Sequence, residues 1–233
     1  MSVQRVSLPV PEGPVEHVTA AVHAPTRRTR RKRRSVLLVP GAGGDLDSDG
    51  LVALAEILAD IGCTVVRANL PYREAGRRAP RADRSVTGYR DVLAAAREAV
   101  GDQRPWVLGG RSYGGRVASM LVAAGEESVG LLFYSYPLHP PGKPDEPRVQ
   151  HWPDVHVPTL FLQGDRDPFC DLEQLRTHIH KLPRRATLHV VEGGDHSLRI
   201  TRTASPTGQA APEAQVIAGL RAELTGWLDS LER

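Results

Sequence analysis

The segment Gly110-Arg111-Ser112-Tyr113-Gly114 sets a serine between two glycines, after the apolar run PWVLGG (105–110) and before the helix-forming stretch GGRVASMLVAAG (114–125). A G-x-S-x-G spacing in a strand, turn, helix context requires a turn so tight that side chains two positions either side of the serine would collide with the neighbouring strand and helix. Ser112 is then held at the tip of the turn, where a helix N-terminus favours negative charge developing beside it. Two further strand ends offer partners. Gly164-Asp165-Arg166-Asp167-Pro168 follows PTLFLQG (158–164), and Gly194-Asp195-His196-Ser197 follows ATLHVVEG (186–193). The order serine, acid, histidine, with room for about one and a half to two strand-helix units at each step, puts all three on one edge of a parallel sheet. Taken singly, the serine has a plainer reading as a helix cap, which its strand, turn, helix context already disfavours, and the histidine one as a turn residue. Their coincidence at three strand ends points to nucleophilic catalysis.

A serine hydroxyl is a weak nucleophile at neutral pH, so His196 has to take its proton as acyl transfer begins and return it to the leaving group. A carboxylate behind the ring fixes the tautomer and stabilises the imidazolium that forms. The tetrahedral oxyanion needs two backbone N–H donors. Tyr113, just after the nucleophile, is expected to supply one, and Ala42 in Pro40-Gly41-Ala42-Gly43-Gly44 the other. That glycine-rich stretch has neither the Lys-Ser/Thr end of a phosphate loop nor the G-x-G-x-x-G spacing of a dinucleotide site. Arg111 reads as packing next to the nucleophile, with binding of a substrate carboxylate as the sharper alternative. His139, His151 and His156 lack metal-like spacing, and His178 and His180 face different ways on a helix, so no metal site is expected.

The stretches LLVPGAGG, GGRSYGGRVAS, YSYPLHPPGKP, PTLFLQGDRDPF and VEGGDHSL, within residues 36–200, resemble the small dienelactone-hydrolase-like α/β-hydrolases. Among these the sequence is most similar to the testis-expressed and NSL-complex third-subunit hydrolase-like group, with YPLHPPGKP and GGRSYGG the most group-specific pieces. The resemblance implies an α/β-hydrolase fold, a triad of Ser112, Asp167 and His196 with the acid at the fourth position of Gly164-Asp165-Arg166-Asp167, and no cofactor. True dienelactone hydrolases carry cysteine at the elbow, so their substrate is not inherited. Some members of the group act as interaction modules.

These residues need a frame that presents strand ends side by side. Short apolar runs bounded by Gly or Pro recur at SVLLVP (35–40), CTVVRANL (63–70), PWVLGG (105–110), VGLLFYSY (129–136), PTLFLQG (158–164) and ATLHVVEG (186–193), and read as buried parallel strands. Helix-period segments lie between them at 51–62, 87–101, 114–125 and 171–182, and a last helix is expected from about Pro212 to Leu231. Two leading strands, near 3–8 and 15–23, are expected to form an antiparallel hairpin. The fold class is α/β: a mainly parallel sheet with an N-terminal antiparallel hairpin and helices on both faces. The Pro-rich stretch 137–157 reads as a loop with little structure of its own and as the wall or lid of a pocket.

A chain of 233 residues with 40% hydrophobic and 24% charged residues fits one soluble α/β domain spanning 1–233. It has no stretch of roughly 18 to 20 apolar residues and no apolar leader at its start, so a cytoplasmic location without membrane contact is expected. Cys63 and Cys170 are expected to stay reduced. Of the 30 Lys and Arg, seven fall in RRTRRKRR (27–34), leaving 23 against 27 acids elsewhere. Such a run suits a nucleic-acid patch, but without a basic stripe or interleaved aromatics it reads as a solvated turn, and no nucleic-acid partner is expected. The expected function is hydrolysis of a small ester, thioester or lactone. The rival is a binding or scaffold module that keeps the fold without turnover. A peptidase or lipase fits less well, because the chain has no added domain or long apolar lid.

Overall fold

The computed structural model describes residues 3–26 and 34–231. Its strands are β1 (Val3–Pro9), β2 (His17–His23), β3 (Ser35–Val39), β4 (Thr64–Ala68), β5 (Trp106–Arg111), β6 (Ser128–Tyr134), β7 (Thr159–Gly164) and β8 (Ala186–Val191). The helices are α1 (Asp49–Ile61), α2 (Pro71–Glu74), α3 (Val86–Val100), α4 (Tyr113–Ala123), α5 (Leu172–Ile179), α6 (Glu213–Gly219) and α7 (Arg221–Ser230). The eight strands form one sheet in the order β1-β2-β4-β3-β5-β6-β7-β8. β1 pairs antiparallel with β2, and β2 antiparallel with β4; every other pairing is parallel. Of the basic run, only Arg34 lies within the described residues. No helix among them is long and apolar enough to cross a membrane.

Alternate side chains of a strand point to opposite faces, so a strand covered on both faces is apolar throughout. β3 shows this: Leu37 and Val39 join Val66, Leu108, Phe133 and Phe161 beneath α3 and α4, while Val36 and Leu38 join Val65, Val107 and Leu162 beneath α1, α6 and α7. After β3 the chain crosses to β4 on one side and then returns to β5 on the other. The strand ends of β3 and β5 therefore flank a topological switch point, where sheets of this kind open a crevice for ligands. The glycine-rich loop leaves β3 there, and the elbow leaves β5.

The structure corrects four details of the sequence reading. β8 is only half-buried over most of its length, because as the edge strand it has a neighbour on one side alone. The final helix is two: Leu220 leaves helical geometry at φ −84°, ψ 12°, just after Gly219, the poorest helix former in the segment bar proline. A short α2, begun by Pro71, and a 3-10 turn at Ala82–Ser85 fill the stretch between β4 and α3. The Pro-rich segment is anchored rather than loose. Its Leu138, Val149, Trp152 and Val155 are all buried, and Trp152 begins a 3-10 turn that runs to Asp154. Trp152 packs edge-on against Tyr136 and at a tilt against Phe161, at centroid distances of 5.5 and 5.6 Å. Cys63 and Cys170 are both buried and not joined in a disulfide.

Candidate active site

Ser112 sits at φ 49°, ψ −111°, backbone geometry that costs a non-glycine residue about 1–3 kcal/mol and persists only where surroundings fix it. Two bonds fix it here. Its N–H donates to the Tyr134 carbonyl at 2.8 Å, and its carbonyl accepts from the Arg116 N–H at 3.1 Å. The flanking glycines have a common cause. A Cβ on either Gly110, whose φ is 151°, or Gly114 would strike the backbone of Val39 at the end of β3. The turn is thus squeezed against one neighbouring strand, where the sequence suggested a strand on one side and a helix on the other.

The ring of His196 reaches over from the loop after β8. Its Nε2 lies 2.9 Å from Ser112 Oγ, and its Nδ1 lies 2.7 Å from Asp167 Oδ2. An ionised carboxylate only accepts, so Nδ1 carries the proton and Nε2 presents its lone pair to the serine hydroxyl. Phe169 packs edge-on against the imidazole at 4.5 Å between centroids. The Asp167 side chain is fully buried, and it is satisfied: Gln163 Nε2 donates to Oδ2 at 2.6 Å and the Phe169 N–H to Oδ1 at 2.8 Å. Asp165 does different work on the same loop, accepting from the Gly193 N–H at 2.7 Å. It ties the end of β7 to the turn that leads into His196.

Arg111 packs behind the histidine loop. It donates to Ser197 Oγ at 2.7 Å, and its guanidinium carbon lies 5.7 Å from the centre of the Tyr134 ring. Tyr134 Oη in turn lies within hydrogen-bond reach of the Ser197 carbonyl, at 3.0 Å, and of Glu213 at the start of α6, with one proton to give between them. Burial raises the Glu213 carboxyl above its ordinary range, against the opposing pull of Arg111. None of Gln163, Phe169, Tyr134 or Glu213 was singled out from the sequence. Gln163 left a signal, being a lone amide in the otherwise apolar PTLFLQG run, whereas Glu213 lies too far along the chain for any local pattern to tie it to the elbow.

Ser112 and His196 open onto a cleft of about 890 Å³. Gly41 to Gly44 form one wall, Pro137, Pro140 and Pro141 of the Pro-rich segment form another, and Ala42 and Tyr113 both border it. As the first residue of α4, Tyr113 has an N–H that no helical carbonyl takes up. A carbonyl carbon placed on Ser112 Oγ would therefore meet a general base and a helix N-terminus together, the requirements of acyl transfer. Two histidines outside this site are separately engaged: His139 Nδ1 bonds the Pro140 carbonyl at 3.0 Å, and His151 Nε2 the Ser119 hydroxyl at 2.7 Å. No group of three or more His, Cys, Asp or Glu suited to a metal ion gathers among the described residues.

The same architecture recurs in solved structures. An α/β serine hydrolase homologue from Coxiella burnetii superposes with a TM-score of 0.68 at 18% identity, covering 98% of this chain and 96% of that one. A serine hydrolase without a lid from Xanthomonas campestris gives 0.64 at 22% identity, covering 98% and 94%. Dienelactone hydrolase from Anabaena variabilis gives 0.71 at 16% identity, covering 98% and 97%. At these identities the likeness is one of fold. The sequence model of the Alpha/beta hydrolase domain matches residues 32–221, a span that runs from the strand before the glycine-rich loop through the elbow and both partner loops. With that match over most of its length and an eight-stranded sheet of the same plan, the chain belongs to the α/β hydrolase domain family.

Proposed function

We propose that this protein is a serine hydrolase that cleaves a small carboxylic ester, thioester or lactone through an acyl-Ser112 intermediate. The observation that carries the proposal is the unbroken chain of hydrogen bonds from Asp167 through His196 to Ser112 Oγ, at 2.7 and 2.9 Å, ending on a serine in strained geometry. His196 takes the Ser112 proton as Oγ attacks the carbonyl, and Asp167 stabilises the imidazolium. The amide N–H groups of Tyr113 and Ala42 receive the oxyanion. The imidazolium then protonates the leaving group, and water, activated by the same ring, releases the acid. The likeness to the Coxiella serine hydrolase homologue and the Xanthomonas serine hydrolase supports this chemistry. The elbow serine separates it from the cysteine chemistry of true dienelactone hydrolases. The finer likeness to the testis-expressed and NSL-complex group rests on the motifs YPLHPPGKP and GGRSYGG alone.

A fluorophosphonate probe tests the proposal without knowledge of the substrate, since only an activated serine attacks it and only an oxyanion site stabilises the adduct. Intact-mass spectrometry is expected to show one label per chain in the wild type, none in Ser112→Ala and a sharp loss in His196→Ala, with thermal melting confirming folded protein in each. A folded wild type that takes up no label between neutral and mildly alkaline pH would overturn the hydrolase reading in favour of a non-catalytic scaffold.

A further inference from the structure

Two guanidinium groups border the cleft beside Ser112 without an ion pair to any carboxylate among the described residues. Arg116 lies in the first turn of α4, and Arg148 stands on the Pro-rich segment, its N–H bonded to the Leu138 carbonyl. The acids of the same cleft are already engaged: Asp83 pairs with Arg81 at 3.3 Å and Glu146 with Lys143 at 2.9 Å, all on exposed side chains. Arg111 has Glu213 at 4.0 Å. Among the described residues neither Arg116 nor Arg148 makes an ion pair, and Arg116 Nε is buried without a hydrogen-bond partner. Tyr113, Tyr136, His151 and Arg148 all feel the charge of Arg116, three neutral side chains and a cation. Burial and that neighbouring charge hold the Arg148 guanidinium below its ordinary range.

Like charges brought together in a partly buried cleft repel, and each loses hydration, unless an anion completes the site. Guanidinium forks match the oxygens of such an anion two at a time. The charge count selects the anion. A single carboxylate would balance one of the two arginines, whereas a phosphate monoester, with a charge of about −1.5 to −2 at neutral pH and three acceptor oxygens, balances both. We propose that Arg116 and Arg148 form an anion subsite of the cleft and that the ester cleaved at Ser112 carries a phosphate monoester group. This deepens the hydrolase reading and rests on it.

The test compares phenyl acetate, 4-acetoxybenzoate and 4-acetoxyphenyl phosphate, which share one acyl group, at low ionic strength in the wild type, Arg116→Gln, Arg148→Gln and Arg148→Lys. In the wild type kcat/KM for the phosphate is expected to exceed that for phenyl acetate about tenfold or more, with the benzoate between them. Each Gln variant is expected to bring the phosphate-to-neutral ratio toward one, and Arg148→Lys to restore part of it. Calorimetry with phenyl phosphate, which has no carbonyl to cleave, is expected to show binding that weakens in both Gln variants and with added salt. Equal preference for benzoate and phosphate would overturn the dianion assignment. A ratio near one in the wild type, or one that the substitutions leave untouched, would overturn the subsite. Absence of both ester turnover and fluorophosphonate labelling marks failure of the hydrolase reading instead. In that event the calorimetric arm still decides: phenyl phosphate binding lost in the Gln variants supports the subsite, and no binding to the wild type overturns it.

Discussion

Asp167 gives one carboxylate oxygen to the His196 ring and the other to the Phe169 amide, whereas Asp165, two positions earlier, accepts from the Gly193 amide and does not touch the ring. The same conservative change should therefore have opposite consequences at the two sites. Asp167→Asn replaces an acceptor with a group that presents either an acceptor or a donor to Nδ1, and the donor arrangement leaves the wrong tautomer facing Ser112. In the serine-protease example this costs about 10⁴ in kcat, and a loss of several orders of magnitude in phenyl acetate turnover is expected here. Asp165→Asn keeps its acceptor oxygen for Gly193, so turnover is expected within a few-fold of wild type and stability within about 1 kcal/mol. Near-normal activity in the first variant with a large loss in the second would reverse the assignment. The sequence alone could not separate these two acids by spacing, since both follow β7 within three residues. The family motif favoured Asp167. What distinguishes them physically is burial and the amide supplied by Gln163, neither of which is a local property of the loop.

The parallel strands were readable because burial on both faces leaves runs such as SVLLV with no polar break, and the elbow was readable because Gly110 and Gly114 are imposed by the close approach of β3. The elements that escaped are those fixed by tertiary contact. The Pro-rich segment has no helical period, yet Leu138, Val149, Trp152 and Val155 pin it to the core, which its prolines conceal from any pattern search. Truncating a buried tryptophan of this kind costs about 3–5 kcal/mol, so the wall is too firmly held to swing aside. A fixed wall over an open cleft gives a long acyl chain little new surface to bury. Binding energy of about 0.8 kcal/mol per buried CH₂ is then available for only the first few carbons. Across p-nitrophenyl esters from acetate to palmitate, kcat/KM is expected to peak at short chains and to fall or level off beyond about four to six carbons. A steady rise to the longest esters would show an apolar channel that this wall does not provide.

Across the whole molecule, the N-terminal hairpin is joined to the parallel sheet and to the loop after β3 through one cluster centred on the buried Arg67. Arg67 of β4 donates from Nε to His23 Nε2 of β2 at 2.9 Å and from Nη1 to the Leu46 carbonyl, and it meets Asp47 at 3.3 Å, which also takes Arg5 of β1. His23 and Arg67 are 1% and 3% exposed. Accepting from Arg67 requires neutral His23, and burial together with the Arg67 charge lowers its pKa to about 4. Burial, with the charge of Arg116, likewise lowers His151 to about 4. In the unfolded chain both return to about 6.5. Between those values the unfolded state binds more protons than the folded one, so stability rises with pH through this window. The contribution is complete above pH 6.5 and is lost as pH falls toward 4. The melting temperature is therefore expected to drop by several degrees between pH 7 and pH 4.5. His23→Gln leaves Arg67 an amide oxygen to bond while removing the titration, and His151→Gln keeps an amide group beside the Ser119 hydroxyl while removing its own. Each variant is expected to flatten part of the slope, and the double variant more of it, whatever each does to stability at pH 7. If wild type and both variants lose melting temperature in parallel over this range, the acid sensitivity resides in other groups and the buried histidines are not its source.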